Sequence, residues 1–242
     1  MQKIKILTAG DSSLLVEFGS EISPEVNQRI TATVQLMKEQ HIEGVVDLIP
    51  AFTSLLVNYD PRVISYEEIR KRISCLVRLE ASAKEKRRRI LEIPVCYGGE
   101  YGPDLEAIAA NAGLSPEEVI RIHSSQDYLI YMLGFLPGFA YLGGLDKRIH
   151  TPRLANPRIK IRAGSVGIGG SQTGIYPLDS PGGWQLLGMT PVKTYDPDRE
   201  EPILYQAGDY IRFVPVEEAQ YKEIEKAQEC GTYRCVIHEE EV

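Results

Sequence analysis

The chain has 242 residues, 43% of them hydrophobic and 25% charged, with a formal net charge of -7 and a sequence pI near 5.3. That apolar content supports one large domain or two small ones, and the acidic balance argues against a nucleic-acid or anionic-membrane partner, which needs a basic face to displace counterions. No apolar run approaches the ~20 residues of a spanning helix and no secretory signal core is present, so the reading is cytoplasmic.

Taken in order, Lys3 to Leu7 and Ser13 to Phe18 gather β-formers around Ala9-Gly10-Asp11, two strands and a tight turn. Ser23 as N-cap and Pro24 at the first helical position open a helix to about His41, with Val26, Ile30, Val34 and Met37 on its apolar face. Gly44 to Ile49 and Ser54 to Asn58 form a second strand pair, and Ser65 to Leu79 a second helix burying Ile69, Ile73, Leu76 and Val77. The order ββαββα predicts an α+β domain of about 80 residues. The polar run Glu80 to Arg89 (EASAKEKRRR) reads as a solvated hinge or as a patch for phosphate-rich partners. The domain boundary is set there, giving residues 1–85 and 86–242.

Ile90 to Tyr97 is a strand, Asp104 caps a helix over Leu105 to Ala112, and Ser115-Pro116 start another that reaches Ile122. His123, at that helix's C-terminus, gains from the dipole with or without a chemical role, and Ser124, Ser125 and Asp127 beside it make an ionisable cluster. Tyr128 to Leu133 is a buried strand. From Tyr131 to Pro191 no helical period survives, and more than half of the 21 glycines fall there with the only tryptophan, Trp184. Such a stretch is either barrel corners that need Gly and Pro or a binding groove built from those corners. Short strands are predicted at Val166 to Ile168, Trp184 to Gly188, Val192 to Tyr195, Ile203 to Tyr205 and Tyr210 to Val214, then a helix over Glu217 to Gln228 and a frayed tail at Glu239-Glu240-Glu241. The second domain is therefore mostly β.

Familiar chemical motifs are missing. Neither Gly164-Ser165-Val166-Gly167 nor Gly169-Gly170-Ser171 is followed by the lysine of a P-loop, and Gly167-Ile168-Gly169 lies in a β context rather than opening a helix. Ser171 lacks the following glycine of a nucleophile elbow. Cysteines Cys75, Cys96, Cys230 and Cys235 are too scattered for a disulfide framework, and Cys230, Cys235 and His238 fall short of a four-ligand zinc site, so no metal is expected. Arg158, Lys160 and Arg162 recur at period two, with Arg153 just before them. On an extended segment they form a strip that grips carboxylate or phosphate, or a charged guard on an edge strand. Gln172, Tyr176 and Trp184 add amide, phenol and indole donors. Arg158, Gln172, Tyr176 and His123 are the catalytic candidates; Arg153, Arg162, Ser165, Ser180, Trp184, Phe135 and Phe139 are the groove candidates.

Four segments carry a resemblance: IPAFTSLLVNYDP, IPVCYGGEYGPDLEAIA, HSSQDYLIYMLGFLPGFAYLGGLD and TPRLANPRIKIRAGSVGIGGSQTGIYPLDSPGGWQLLGMTP. Together they resemble the 5-oxoprolinase B-subunit family, which includes a bacterial kinase A inhibitor and is related to allophanate-hydrolase subunit 1 and urea-carboxylase carboxyltransferase halves. The resemblance implies a small ferredoxin-like α+β domain followed by a cyclophilin-like β-barrel. It also implies an ATP-dependent assembly with the C and A subunits of 5-oxoprolinase, which opens 5-oxoproline to glutamate, this chain being inactive alone. Alternatives implied by the same family are direct inhibition of a sensor histidine kinase, and half of a urea- or allophanate-type carboxyltransferase, although no biotinyl domain is present. Where relatives read G-R-T-P, this chain has Gly188-Met189-Thr190-Pro191, one cation fewer at the end of the stretch. In the implied reaction, phosphorylating the lactam oxygen makes a better electrophile, and cations or N–H donors hold the developing anion.

Overall fold

Every second side chain of β2 (Ser13–Glu17) and β4 (Ser54–Tyr59) is buried, which turns Leu14, Val16, Leu55 and Val57 to one face of the first sheet. The computed structural model describes residues 4–79 and 88–240, and the chain divides into two compact units, residues 1–86 and 87–242. Residues 80–87 of the basic run lie outside the described residues.

In the first unit the sheet order is β1-β2-β4-β3, antiparallel throughout, with β1 at Lys5–Thr8 and β3 at Val45–Pro50. Helices α1 (Pro24–Glu39) and α2 (Tyr66–Leu79) supply Ile30, Met37, Ile69, Ile73 and Leu76 to the same core as the sheet's buried face. Both start on serine caps. The Val26 N–H donates to Ser23 Oγ, and Ser65 and Glu68 exchange side-chain to backbone bonds across the first turn of α2.

The second unit is a barrel. Seven strands run in the order β12-β9-β10-β7-β6-β13-β5, and β12 (Gln185–Met189) closes the ring on the far end of β5 (Arg88–Tyr97). The others are β6 (Asp127–Leu133), β7 (Ala140–Gly143), β9 (Ser165–Gly169), β10 (Gln172–Ile175) and β13 (Tyr210–Pro215). A two-stranded ribbon of β8 (Arg158–Ile161) and β11 (Ser180–Gly182) stands apart from the ring. Ile93, Val95, Ile130, Leu142, Val166, Ile168, Ile175 and Phe213 fill the interior, joined by Ile108 from α3 (Leu105–Ala112) and Val119 from α4 (Pro116–Ser124). Helix α5 (Glu218–Glu229) sets Tyr221 against Cys96 and Met189. Among the described residues no helix is long and apolar enough to cross a membrane, and Cys75, Cys96, Cys230 and Cys235 are free thiols.

Three sequence expectations change. The tail expected to fray contains β14 (Val236–Glu240), whose Glu239 and Glu240 lie opposite Arg89 and Arg88 of β5; opposite charges across an antiparallel pair favour the strand that local propensity disfavours. For the same reason Arg88 and Arg89 belong to β5 rather than to a hinge, where they pair with Asp127 and Asp209. Neither Val192 to Tyr195 nor Ile203 to Tyr205 forms a strand: the Val192 N–H donates to Thr190 Oγ1 just past Pro191, and the two segments share only an isolated bridge between Tyr195 and Ile203.

Candidate functional site

The glycines of the Tyr131 to Pro191 stretch are explained by what lies on them. Along β9, Val166 and Ile168 point into the barrel, so Gly167 and Gly169 point out; on β10, Thr173 and Ile175 point in and Gly174 out. The Trp184 indole lies on this outer face. A Cβ at Gly169 would come within 2.3 Å of Trp184 Nε1, and one at Gly174 within 3.1 Å of the same ring, so only a face without side chains admits the indole. Trp184, Tyr176 and Phe139 then meet edge to face, with centroids 5.5 Å apart for Phe139–Trp184, 5.6 Å for Phe139–Tyr176 and 6.1 Å for Tyr176–Trp184. Ile161 and Leu186 complete this cluster, which is separate from the barrel core. Burial raises the Tyr176 phenol above its usual pKa, with the Trp184 backbone N–H and the nearby charges of Arg153 and Arg158 acting the other way.

The cluster's edge displays Phe135. The Leu136 N–H donates to Gly134 O, a three-residue γ-turn in which Phe135 adopts φ +64°, a region a bulky residue enters only against strain. Its ring is 65% exposed and packs edge-on against Phe139 at 5.6 Å. Strain that holds an apolar ring in water is found at binding surfaces more than in scaffold.

Most of the expected cationic strip is already engaged. Arg158 donates to Asp104 Oδ1 at 2.7 Å and to Trp184 O at 3.2 Å, while Asp104 Oδ2 accepts the Leu186 N–H at 2.6 Å. Asp104 sits at the N-cap of α3 without capping it, its carboxylate turned instead to this brace. Lys160 pairs with Asp179 at 2.7 Å, and Arg162 donates to Met189 Sδ at 3.4 Å, at the position where the family pattern carries arginine. Arg153 is exposed, has no carboxylate partner among the described residues, and stands 5.9 Å from the Trp184 ring centre.

Among the remaining candidates, Gln172 is half-buried at the start of β10, on the outward side with Gly174. Ser165 and Ser180 are buried, and Ser180 Oγ has no hydrogen-bond partner among the described residues. His123 is not at a groove mouth. It has no exposed surface, stacks on Phe213 at 4.5 Å inside the barrel, and lies on the opposite side of β10 from Trp184. Thr173 Oγ1 donates to Gly167 O and so accepts from His123 Nε2, which leaves Nδ1 to accept the Tyr97 hydroxyl, each link to the ring being 2.8 Å. Burial depresses the His123 pKa to about 3, so the ring is neutral. Asp104 is the residue that sequence reading passed over, because it fits an N-cap; its partners, 54 and 82 residues away, leave no local trace. Among the described residues no three His, Cys, Asp or Glu side chains group to hold a metal ion.

A family model described as carboxyltransferase domain, subdomain C and D, matches residues 4–205. The 5-oxoprolinase B subunit of Bacillus subtilis (strain 168) is 47% identical over 229 residues, which cover 90% of this chain and 95% of that protein. The chain belongs to the 5-oxoprolinase B-subunit family. Members share the fold with longer polypeptides. The crystal structure of TTHA0988 is 39% identical with a TM-score of 0.74, covering 85% of this chain, which spans 40% of the length of that one. The urea carboxylase of Kluyveromyces lactis, 22% identical with a TM-score of 0.78 over 99% of this chain and 24% of that one, shows the fold alone.

Proposed function

We propose that the chain is the B subunit of an ATP-dependent 5-oxoprolinase, which opens the lactam of 5-oxoproline to glutamate in the cytoplasm together with the C and A subunits. The observation that carries this reading is the near full-length match, at 47% identity, to the B. subtilis protein. Phe135, exposed at the edge of the buried Phe139, Tyr176 and Trp184 cluster, offers apolar surface to a small ring compound. The chain's own residues do not fit a nucleotide: no glycine loop is followed by a phosphate-binding lysine. The ATP chemistry is therefore assigned to the assembled enzyme, and this chain's part is to bind and orient.

Strand order β1-β2-β4-β3, with α1 crossing between β2 and β3 and α2 packed on the same core, supports reading the first unit as ferredoxin-like with permuted chain ends, and the closed seven-stranded ring supports the cyclophilin-like reading of the second. A deletion strain tests the function in cells. Cells lacking the chain should accumulate 5-oxoproline and recover on re-expression; unchanged 5-oxoproline levels would remove this reading.

A further inference from the structure

We propose that Arg153, mounted over Trp184, is a carboxylate-binding subsite, and that Asp104 keeps Arg158 out of that role. The inference rests on the proposed reaction only for the identity of the ligand; the subsite itself is read from the residues. Arg153 lies on a segment whose backbone is tied on both sides. Thr151 exchanges both backbone bonds with Gly170, Pro152 O accepts from Gln185 Nε2 at 3.3 Å, and the Leu154 N–H donates to Gly183 O at 2.7 Å. The residues flanking Arg153 are thus fastened to those flanking Trp184, so the guanidinium is placed by the fold over the indole and needs little further ordering to bind.

Charge decides which cation is available. On a chain of net charge -7, Arg158 and Lys160 are each matched by an aspartate, and Arg162 rests on a thioether. Arg153 retains a planar fork of donors able to take both oxygens of a carboxylate, and the buried Trp184 ring lies beneath it. A small ligand that carries a carboxylate, as 5-oxoproline does, matches this fork.

Trp184 is the chain's only tryptophan, so its emission reports this subsite. The full chain is titrated with 5-oxoproline and with 2-pyrrolidinone, the same lactam without a carboxylate. A saturable emission change with 5-oxoproline, at least tenfold weaker with 2-pyrrolidinone and at least tenfold weaker in Arg153→Gln, with partial rescue in Arg153→Lys, is expected. Equal response to the two lactams, no loss in Arg153→Gln, or no response of the wild-type chain would each overturn the proposal. Glutamate release by the assembled enzyme separates the two readings. Binding through Arg153 without glutamate release sinks the reaction and leaves the subsite; release with an unchanged KM in Arg153→Gln sinks the subsite and leaves the reaction.

Discussion

His123 shows how a residue type that suggests catalysis becomes part of a core. Its two nitrogens are both satisfied, by the Tyr97 hydroxyl and by Thr173 Oγ1, and Tyr128 Oη donates to its backbone carbonyl, so α4, β5, β6 and β10 are joined through one ring. With a folded pKa of about 3 against an ordinary 6.5, the unfolded chain binds a proton that the native chain refuses between those values. The stability from the neutral ring is full above about pH 6.5 and is lost as pH falls towards 3, at up to about 1.4 kcal/mol per pH unit. Denaturant midpoints of wild type and His123→Gln between pH 7 and pH 4 check this: the gap between the two curves should narrow as pH falls. A constant gap would mean the ring is not buried neutral. Arg158 carries the opposite lesson. It looks like a substrate cation in the sequence, yet its bonds to Asp104 and Trp184 O make it a brace, and its removal would leave the largely buried Asp104 carboxylate with only the Leu186 N–H.

At the scale of elements, the legible parts were those with a short-range code. The two helices of the first unit follow from apolar residues three or four apart and from Ser-Pro or Ser-x-x-Glu starts, and β2 and β4 from alternation. The Tyr131 to Pro191 stretch hid its order because glycine signals turns and faces alike. There, six strands, β7 to β12, stand where loops and two short strands were expected, and Gly167, Gly169 and Gly174 serve as the flat face for Trp184. A period-two run of glycines was the available signal. Strand β14 was illegible for a different reason: its acidic residues make sense only against Arg88 and Arg89, some 150 residues away in the chain. Deleting residues 236–242 should leave the barrel folded, because β5 keeps its parallel pairing with β13 from Ile90 to Val95 and its contact with β12 at Cys96 and Tyr97. Hydrogen exchange should quicken at the amides of residues 88–92 that face β14 and stay slow at residues 96–97. Global loss of protection, or none at all, would show that β14 has been assigned the wrong weight.

At the scale of the molecule, each unit has its own core, one built from an antiparallel sheet under two helices and one from a closed barrel. Among the described residues the barrel unit carries a buried aromatic cluster, an exposed ring on a strained turn at its edge and an arginine with no carboxylate partner. On the proposed reading the chain is one part of the enzyme, needed for turnover but not sufficient for it. The direct measurement is ATP-dependent release of glutamate from 5-oxoproline by purified components. Robust turnover is expected when the C and A subunits are combined with this chain, and none from the chain alone or from the other two without it. Turnover by the isolated chain, or undiminished turnover in its absence, would contradict the account.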